Sequence, residues 1–183
     1  LYGTGDNYDR NNSHVLPALL NRFHCHKLEN KSYIKCWGSG NPRREFMHVD
    51  DLAEASIFAL ENWNPDKRDS PLDEYGEPLN WLNVGTGVDI QIKNLAEMVA
   101  KITSYKGEII WDKEKPDGTY QKLLDVSKIK SLGVWEFKFK LKLKYPYPPP
   151  MASSNLNEKY PVIYINNIKE IRKIKLWITY LII

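Results

Sequence analysis

Apolar runs of two different periods take turns along residues 1–133, and that alternation limits the fold more than any composition figure does. Ser13 can cap a helix through Val15, Leu19, Leu20 and Phe23, with Pro17 in the first turn, where a missing N–H does little harm. Tyr33 to Trp37 reads as a short strand closed by Gly38-Ser39-Gly40, and Glu45 to Val49 as another. Asp50 or Asp51 then caps a helix through Leu52, Ala55, Ile57, Phe58 and Leu60. Residues 62–79, with Asn64-Pro65, Ser70-Pro71, Gly76 and Pro78, predict a long surface loop. Trp81 to Val84 reads as a buried strand ending at Gly85-Thr86-Gly87, and Ile92, Leu95, Met98, Val99 and Ile102 mark one face of a regular helix. Glu108 to Trp111 is a further strand, Lys115-Pro116-Asp117-Gly118-Thr119 a turn, and Asp125 or Ser127 caps a last helical turn toward Leu132-Gly133. Strands and helices in alternation indicate an α/β or α+β layer rather than a bundle or a sandwich.

The 183 residues suffice for one real core. No apolar run approaches the ~18 residues of a membrane span, and Leu1-Tyr2-Gly3-Thr4-Gly5-Asp6 has no signal-peptide character, so a cytoplasmic protein is expected. Lacking an initiator Met, the chain reads as cut at its front. Cys25 and Cys36 are too few for a disulfide framework and fit no metal spacing; both read as buried, inert thiols. The net charge of +3 is unevenly spread: Val134 to Ile183 holds nine Lys and Arg against three Asp and Glu, leaving 17 against 20 for residues 1–133. A basic tail on a mildly acidic body argues against a nucleic-acid surface. In that tail, Phe137 to Lys144 alternates apolar and Lys as an edge strand does, Tyr145 to Pro150 suits polyproline II, and Tyr160 to Ile183 can form an amphipathic helix but fits a different reading frame or an unrelated fusion better.

The densest chemistry lies in Trp37-Gly38-Ser39-Gly40-Asn41-Pro42-Arg43-Arg44-Glu45-Phe46-Met47-His48-Val49-Asp50-Asp51-Leu52. A guanidinium offers a planar fork for phosphate oxygens, and an indole offers an apolar face to a base or sugar. A surface turn with two solvated arginines would look the same by composition. His14 has two readings of its own. It can bond the N-terminus of its own helix, or it can carry protons, since imidazole titrates near neutrality. Asp117 either holds its own turn or accepts hydrogen bonds from hydroxyl groups of a ligand.

These pieces resemble a known family. Leu1-Tyr2-Gly3-Thr4-Gly5-Asp6-Asn7 and Asn12-Ser13-His14-Val15-Leu16-Pro17-Ala18-Leu19 look like the segment following the Tyr/Lys region of extended short-chain dehydrogenase/reductases. The Trp37–Leu52 stretch resembles their sugar-nucleotide-binding half. Asn12-Ser13-His14-Val15, Asn83 to Asp89 and Lys115 to Thr119 narrow the resemblance to the GDP-L-fucose synthases. These are NADPH-dependent 3,5-epimerases and 4-reductases of GDP-4-keto-6-deoxymannose.

The resemblance implies roles residue by residue. His14 matches the general acid of the epimerisation, where a proton is removed beside a ketone and returned on the other face. Arg22, Trp37, Arg44 and Asp117 match substrate-binding positions, with Arg44 toward the diphosphate and Trp37 packed on the ligand; Lys122 is a further phosphate contact. Leu1 would close the loop that touches the nicotinamide end of NADP, with His14 beside the same cofactor. Arg43 should face solvent, and Asp50 and Asp51 serve the helix.

The Gly-rich fingerprint, the Ser and Tyr-x-x-x-Lys residues and the catalytic cysteine of the family are absent from the sequence. The expectation is therefore the C-terminal substrate-binding part of an extended Rossmann-type reductase over 1–133, with 134–183 an atypical basic tail with no required order. NADP would be bound mainly by a missing N-terminal half, and the fragment would be inactive alone. The intact enzyme would be a homodimer acting on a GDP-sugar, without nucleic acid, membrane or metal. Another nucleotide-sugar epimerase/dehydratase and a non-catalytic binding remnant are the rival expectations.

Overall fold

The computed structural model describes residues 1–3, 5–9 and 12–133, so the expectations placed on the tail, 134–183, lie outside the described residues. Helix α1 runs Val15–Leu28, strand β1 Tyr33–Trp37, β2 Arg43–Glu45 and helix α2 Val49–Asn62. Strand β3 follows at Asp89–Gln91, then helix α3 at Ile92–Thr103, β4 at Glu108–Asp112, β5 at Gln121–Lys122 and the short helix α4 at Ser127–Ser131. The α/β expectation holds. β1 and β4 run parallel, from Tyr33 beside Glu108 to Trp37 beside Asp112. A second sheet has the order β3-β2-β5, with β2 antiparallel to β3 and parallel to β5.

Two apolar cores explain this arrangement. Leu16, Leu19, Leu20 and Phe23 of α1 meet Ile34 and Cys36 of β1 and Leu95, Ala96 and Val99 of α3. The alternating burial of β1 turns Ile34 and Cys36 inward and leaves Tyr33, Lys35 and Trp37 outward, as a strand with one covered face requires. Met47, Ala55, Val126 and Ile129 form the second core, with Leu82, Val84 and Phe58 packed against it. Burying a large apolar side chain of this kind contributes roughly 1.5–3 kcal/mol.

Several local expectations are corrected. Ser13 does not cap α1: His14 is the N-cap residue, and its side chain makes no capping hydrogen bond. Neither Asp50 nor Asp51 caps α2. His48 does, its Nδ1 accepting the Asp50 amide at 3.2 Å, while both acids lie in the first turn at the positive helix end. The second strand begins at Arg43 and stops at Glu45, because Met47 turns into the second core and Tyr2 pairs with His48 instead. Trp81 to Val84 forms no strand: Leu82 and Val84 pack on the second core from an irregular segment, and Trp81 is exposed. Cys36 is buried, and burial pushes its thiol up, but Cys25 is only half-buried and donates to Asn21 Oδ1 at 3.1 Å.

Candidate functional site

At the carboxyl end of β1 the chain turns through Gly38-Ser39-Gly40 and comes back as β2. The residues 116–118 that follow β4 face that turn. Between them lies a cleft of about 180 Å³ lined by Val15, Trp37, Pro42, Arg44, Ile92 and Asp117, among others. Sequence reasoning assigned three of these, Trp37, Arg44 and Asp117, to one pocket, and the fold brings them together.

Alternation on β2 sorts its charges. Arg43 and Glu45 point to one face and Arg44 to the other. Arg43 was expected in solvent, and here the expectation fails. Its Nε donates to Asp89 Oδ1 at 2.8 Å across the antiparallel β2–β3 pair, and that bond is the main reason the Asp89 carboxyl is held below its usual range. Glu45 is a residue sequence reasoning missed. Its Oε1 accepts the Gly87 amide at 2.6 Å and the Thr86 hydroxyl at 3.0 Å, while Oε2 accepts the Leu124 amide at 3.1 Å. It ties the 85–87 turn to the end of β5, a role with no local signal because its partners lie 41, 42 and 79 residues away.

Arg44 is left in the cleft. Its Nη1 donates to the Arg43 carbonyl at 2.7 Å, and no carboxylate pairs with it among the described residues. Lys122, its β5 neighbour in register, adds a second positive charge beside it. Trp37 is 72 % exposed at the other end of the cleft, with Lys115 Nζ 5.7 Å from the ring centroid. An exposed indole and a guanidinium without a carboxylate partner, flanking one cleft, can hold a ring at one end and an anion at the other.

Asp117 is fastened in place. Its Oδ1 accepts the Ser39 amide at 2.8 Å and its Oδ2 the Ser39 hydroxyl at 2.6 Å, and these two bonds hold its carboxyl below the ordinary value. Gly38 makes the approach possible: it has φ +76°, and a Cβ there would stand 2.3 Å from Asp117 Oδ1.

The remaining candidates stand elsewhere. His14 is exposed at the start of α1, one residue before the cleft-lining Val15. Arg22 does not reach the cleft lining: its Nη2 donates to the Lys35 carbonyl, bracing β1. Leu1 is exposed beside Tyr2, whose amide and carbonyl bond Met47 and Val49 and whose ring meets His48 edge-on at 5.2 Å. Ser13 Oγ is shielded from solvent and has no hydrogen-bond partner among the described residues. A polar atom of that kind beside His14 and the first N–H groups of α1 fits a bound polar group there. No cluster of His, Cys, Asp or Glu suited to a metal occurs among the described residues, and no helix in them is long and apolar enough to cross a membrane.

Residues 1–70 match the NAD dependent epimerase/dehydratase family. Over 133 residues the chain is 48 % identical to the GDP-L-fucose synthase of Escherichia coli (strain K12), covering 73 % of this chain and 40 % of that one. It is 44 % identical over 133 residues to GDP-L-fucose synthase 1 of Arabidopsis thaliana, covering 73 % of this chain and 37 % of that one. The chain resembles the GDP-L-fucose synthases. It spans about two fifths of the length of these curated relatives. Among solved structures it is similar to a GDP-6-OMe-4-keto-L-xylo-heptose reductase from C. jejuni, with 34 % identity and a TM-score of 0.62, covering 76 % of this chain and 47 % of that one.

The family match corrects three linked expectations. The chain is not a C-terminal, substrate-binding part alone: the model of an NAD dependent family lies on residues 1–70, and parallel β1 and β4 beneath α1 and α3 make a Rossmann-like α/β unit. With that unit on the chain, the expectation that the dinucleotide-binding half is missing falls. So does the expectation that NADP is bound mainly by residues outside it.

Proposed function

We propose that this GDP-L-fucose synthase-like chain belongs to an enzyme that binds a GDP-linked 4-keto-6-deoxy sugar, epimerises it at the two carbons flanking the ketone and reduces the ketone. The observation that carries the reading is Arg44, a cation without a carboxylate partner among the described residues, sharing a cleft with the exposed Trp37 indole. Arg44 takes the diphosphate, assisted by Lys122, and Trp37 packs against a ring of the ligand. His14, exposed next to Val15 at the cleft's edge, donates the proton that completes epimerisation. NADPH, when bound, would supply the hydride. Leu1, Ser13 and His14 are the residues of this chain offered to it, and their part is to orient and to exclude water. The homodimer rests on the resemblance alone, and sedimentation equilibrium of the intact protein tests it.

The test of the cleft is calorimetric titration of the chain with GDP and with UDP. GDP should bind with measurable heat and more tightly than UDP, and Arg44→Ala should abolish most of that binding. A preference for UDP, or GDP binding untouched by Arg44→Ala, would overturn the assignment.

A further inference from the structure

We infer that Ser39 is a positioning residue: by clasping Asp117 it fixes the opening between Trp37 and Arg44, and so makes the cleft select a nucleoside diphosphate over a nucleoside. The inference rests on the nucleotide-sugar reading above and gives Asp117 a structural part beside the ligand contact that the resemblance implies.

The loop from Lys115 to Gly118 belongs to neither sheet. It touches the cleft at both ends. Lys115 stands over the Trp37 ring, and a Cβ on Gly118 would lie 3.2 Å from Arg44 Nη2. Between these two contacts the loop is held by the pair of Ser39–Asp117 bonds, made across 78 residues of sequence. Both carboxylate oxygens are committed to Ser39, one to its amide and one to its hydroxyl. The hydroxyl is itself fixed, because it also accepts the Asn41 amide at 3.1 Å, and Lys93 of α3 donates to Asn41 Oδ1 at 3.4 Å. The clasp is thereby anchored to a helix of the main core. A ring against Trp37 and a charge against Arg44 are a fixed distance apart only while the loop stays closed. Loss of the hydroxyl should therefore spare the ring contact and weaken the charge contact.

The test uses the full chain, its Ser39→Ala variant and its Ser39→Thr variant, titrated with GDP and with guanosine. Amide hydrogen exchange at position 39, whose N–H donates to Asp117 Oδ1, and thermal unfolding are followed alongside. Ser39→Ala should bind GDP about tenfold more weakly, bind guanosine as the parent does, and exchange the amide at position 39, which donates to Asp117 Oδ1, faster at an unchanged Tm. Ser39→Thr, which keeps the hydroxyl, should restore all three. Unchanged GDP affinity in Ser39→Ala would overturn the inference. Equal loss of GDP and guanosine with a lowered Tm and no rescue by threonine would also overturn it, since that pattern marks a merely structural residue. Failure of the parent to bind GDP would instead sink the nucleotide reading. In that event faster exchange of the position-39 amide in Ser39→Ala still supports the clasp, and unchanged exchange removes it.

Discussion

Arg43 and Asp89 close an ion pair across β2 and β3, Nε to Oδ1 at 2.8 Å, and the neighbouring Arg44, on the opposite face of β2, is the cation turned to the cleft. The two arginines should therefore respond oppositely to truncation. Arg44→Ala should cost GDP affinity on the order of tenfold to a hundredfold, the range for hydrogen bonds to a charged group, and leave Tm nearly unchanged. Arg43→Ala should lower Tm and leave affinity within about twofold, because it loosens the sheet and not the ligand grip. Calorimetric titration and thermal unfolding of both variants decide the matter, and equal affinity losses would refute the division of labour.

The elements set by local pattern were legible and those set by distant partners were not. The faces of α1 and α3 could be read because Leu19, Leu20, Phe23, Leu95 and Val99 recur at helical spacing and all reach one core. β3 and β5 could not, since strands of three and two residues exist only because Arg43 finds Gln91 on one side and Gln121 on the other. Trp81 to Val84 misled for a related reason: an apolar run meets a core without a strand to pair with. In the cleft, Trp37 and Arg44 were legible through their motif. The fate of Arg43 was hidden because Asp89 lies 46 residues away, and Glu45 carried no signal at all.

Gly38 should tolerate no side chain. Its φ of +76° is the left-handed region, which costs an L-residue roughly 1–2 kcal/mol. A Cβ would in addition stand 2.3 Å from Asp117 Oδ1, so the loop at 115–118 must move away. Gly38→Ala should lower stability by at least about 1 kcal/mol in urea denaturation. It should also speed amide exchange at Ser39, whose N–H donates to Asp117. Parent-like exchange at Ser39 would show that the turn accommodates the methyl group without opening.

Phe23 anchors the main core. It is fully buried on α1 and meets the Tyr105 ring edge-on, with centroids 5.4 Å apart. Phe23→Ala removes the ring and leaves a cavity between α1, β1 and α3, a change that typically costs 3–5 kcal/mol. Denaturant unfolding should show a loss of about that size, with the midpoint shifted and the slope unchanged. A loss under ~1 kcal/mol would mean that the surrounding side chains collapse into the space.

His48 gives the fold an acid-sensitive step. Its ring is buried, and burial pushes its pKa below the ordinary 6.5, against the opposing pull of Asp50 and Asp51. The Nδ1 atom accepts the Asp50 amide, so the capping ring is neutral, and the Tyr2 ring packs on its edge. A base whose folded pKa is depressed binds its proton more readily in the unfolded chain. Its stabilising share is complete above pH 6.5 and is lost as pH falls from there through the folded value. His24, also lowered by burial, adds a slope of the same sign. His48→Asn keeps a side-chain acceptor at the helix cap but does not titrate. The parent should therefore lose stability between pH 7 and pH 5, and His48→Asn should lose less, retaining only the His24 part of the slope. Urea denaturation at half-unit pH steps measures both curves, and parallel curves for the two proteins would show that His48 does not carry the step.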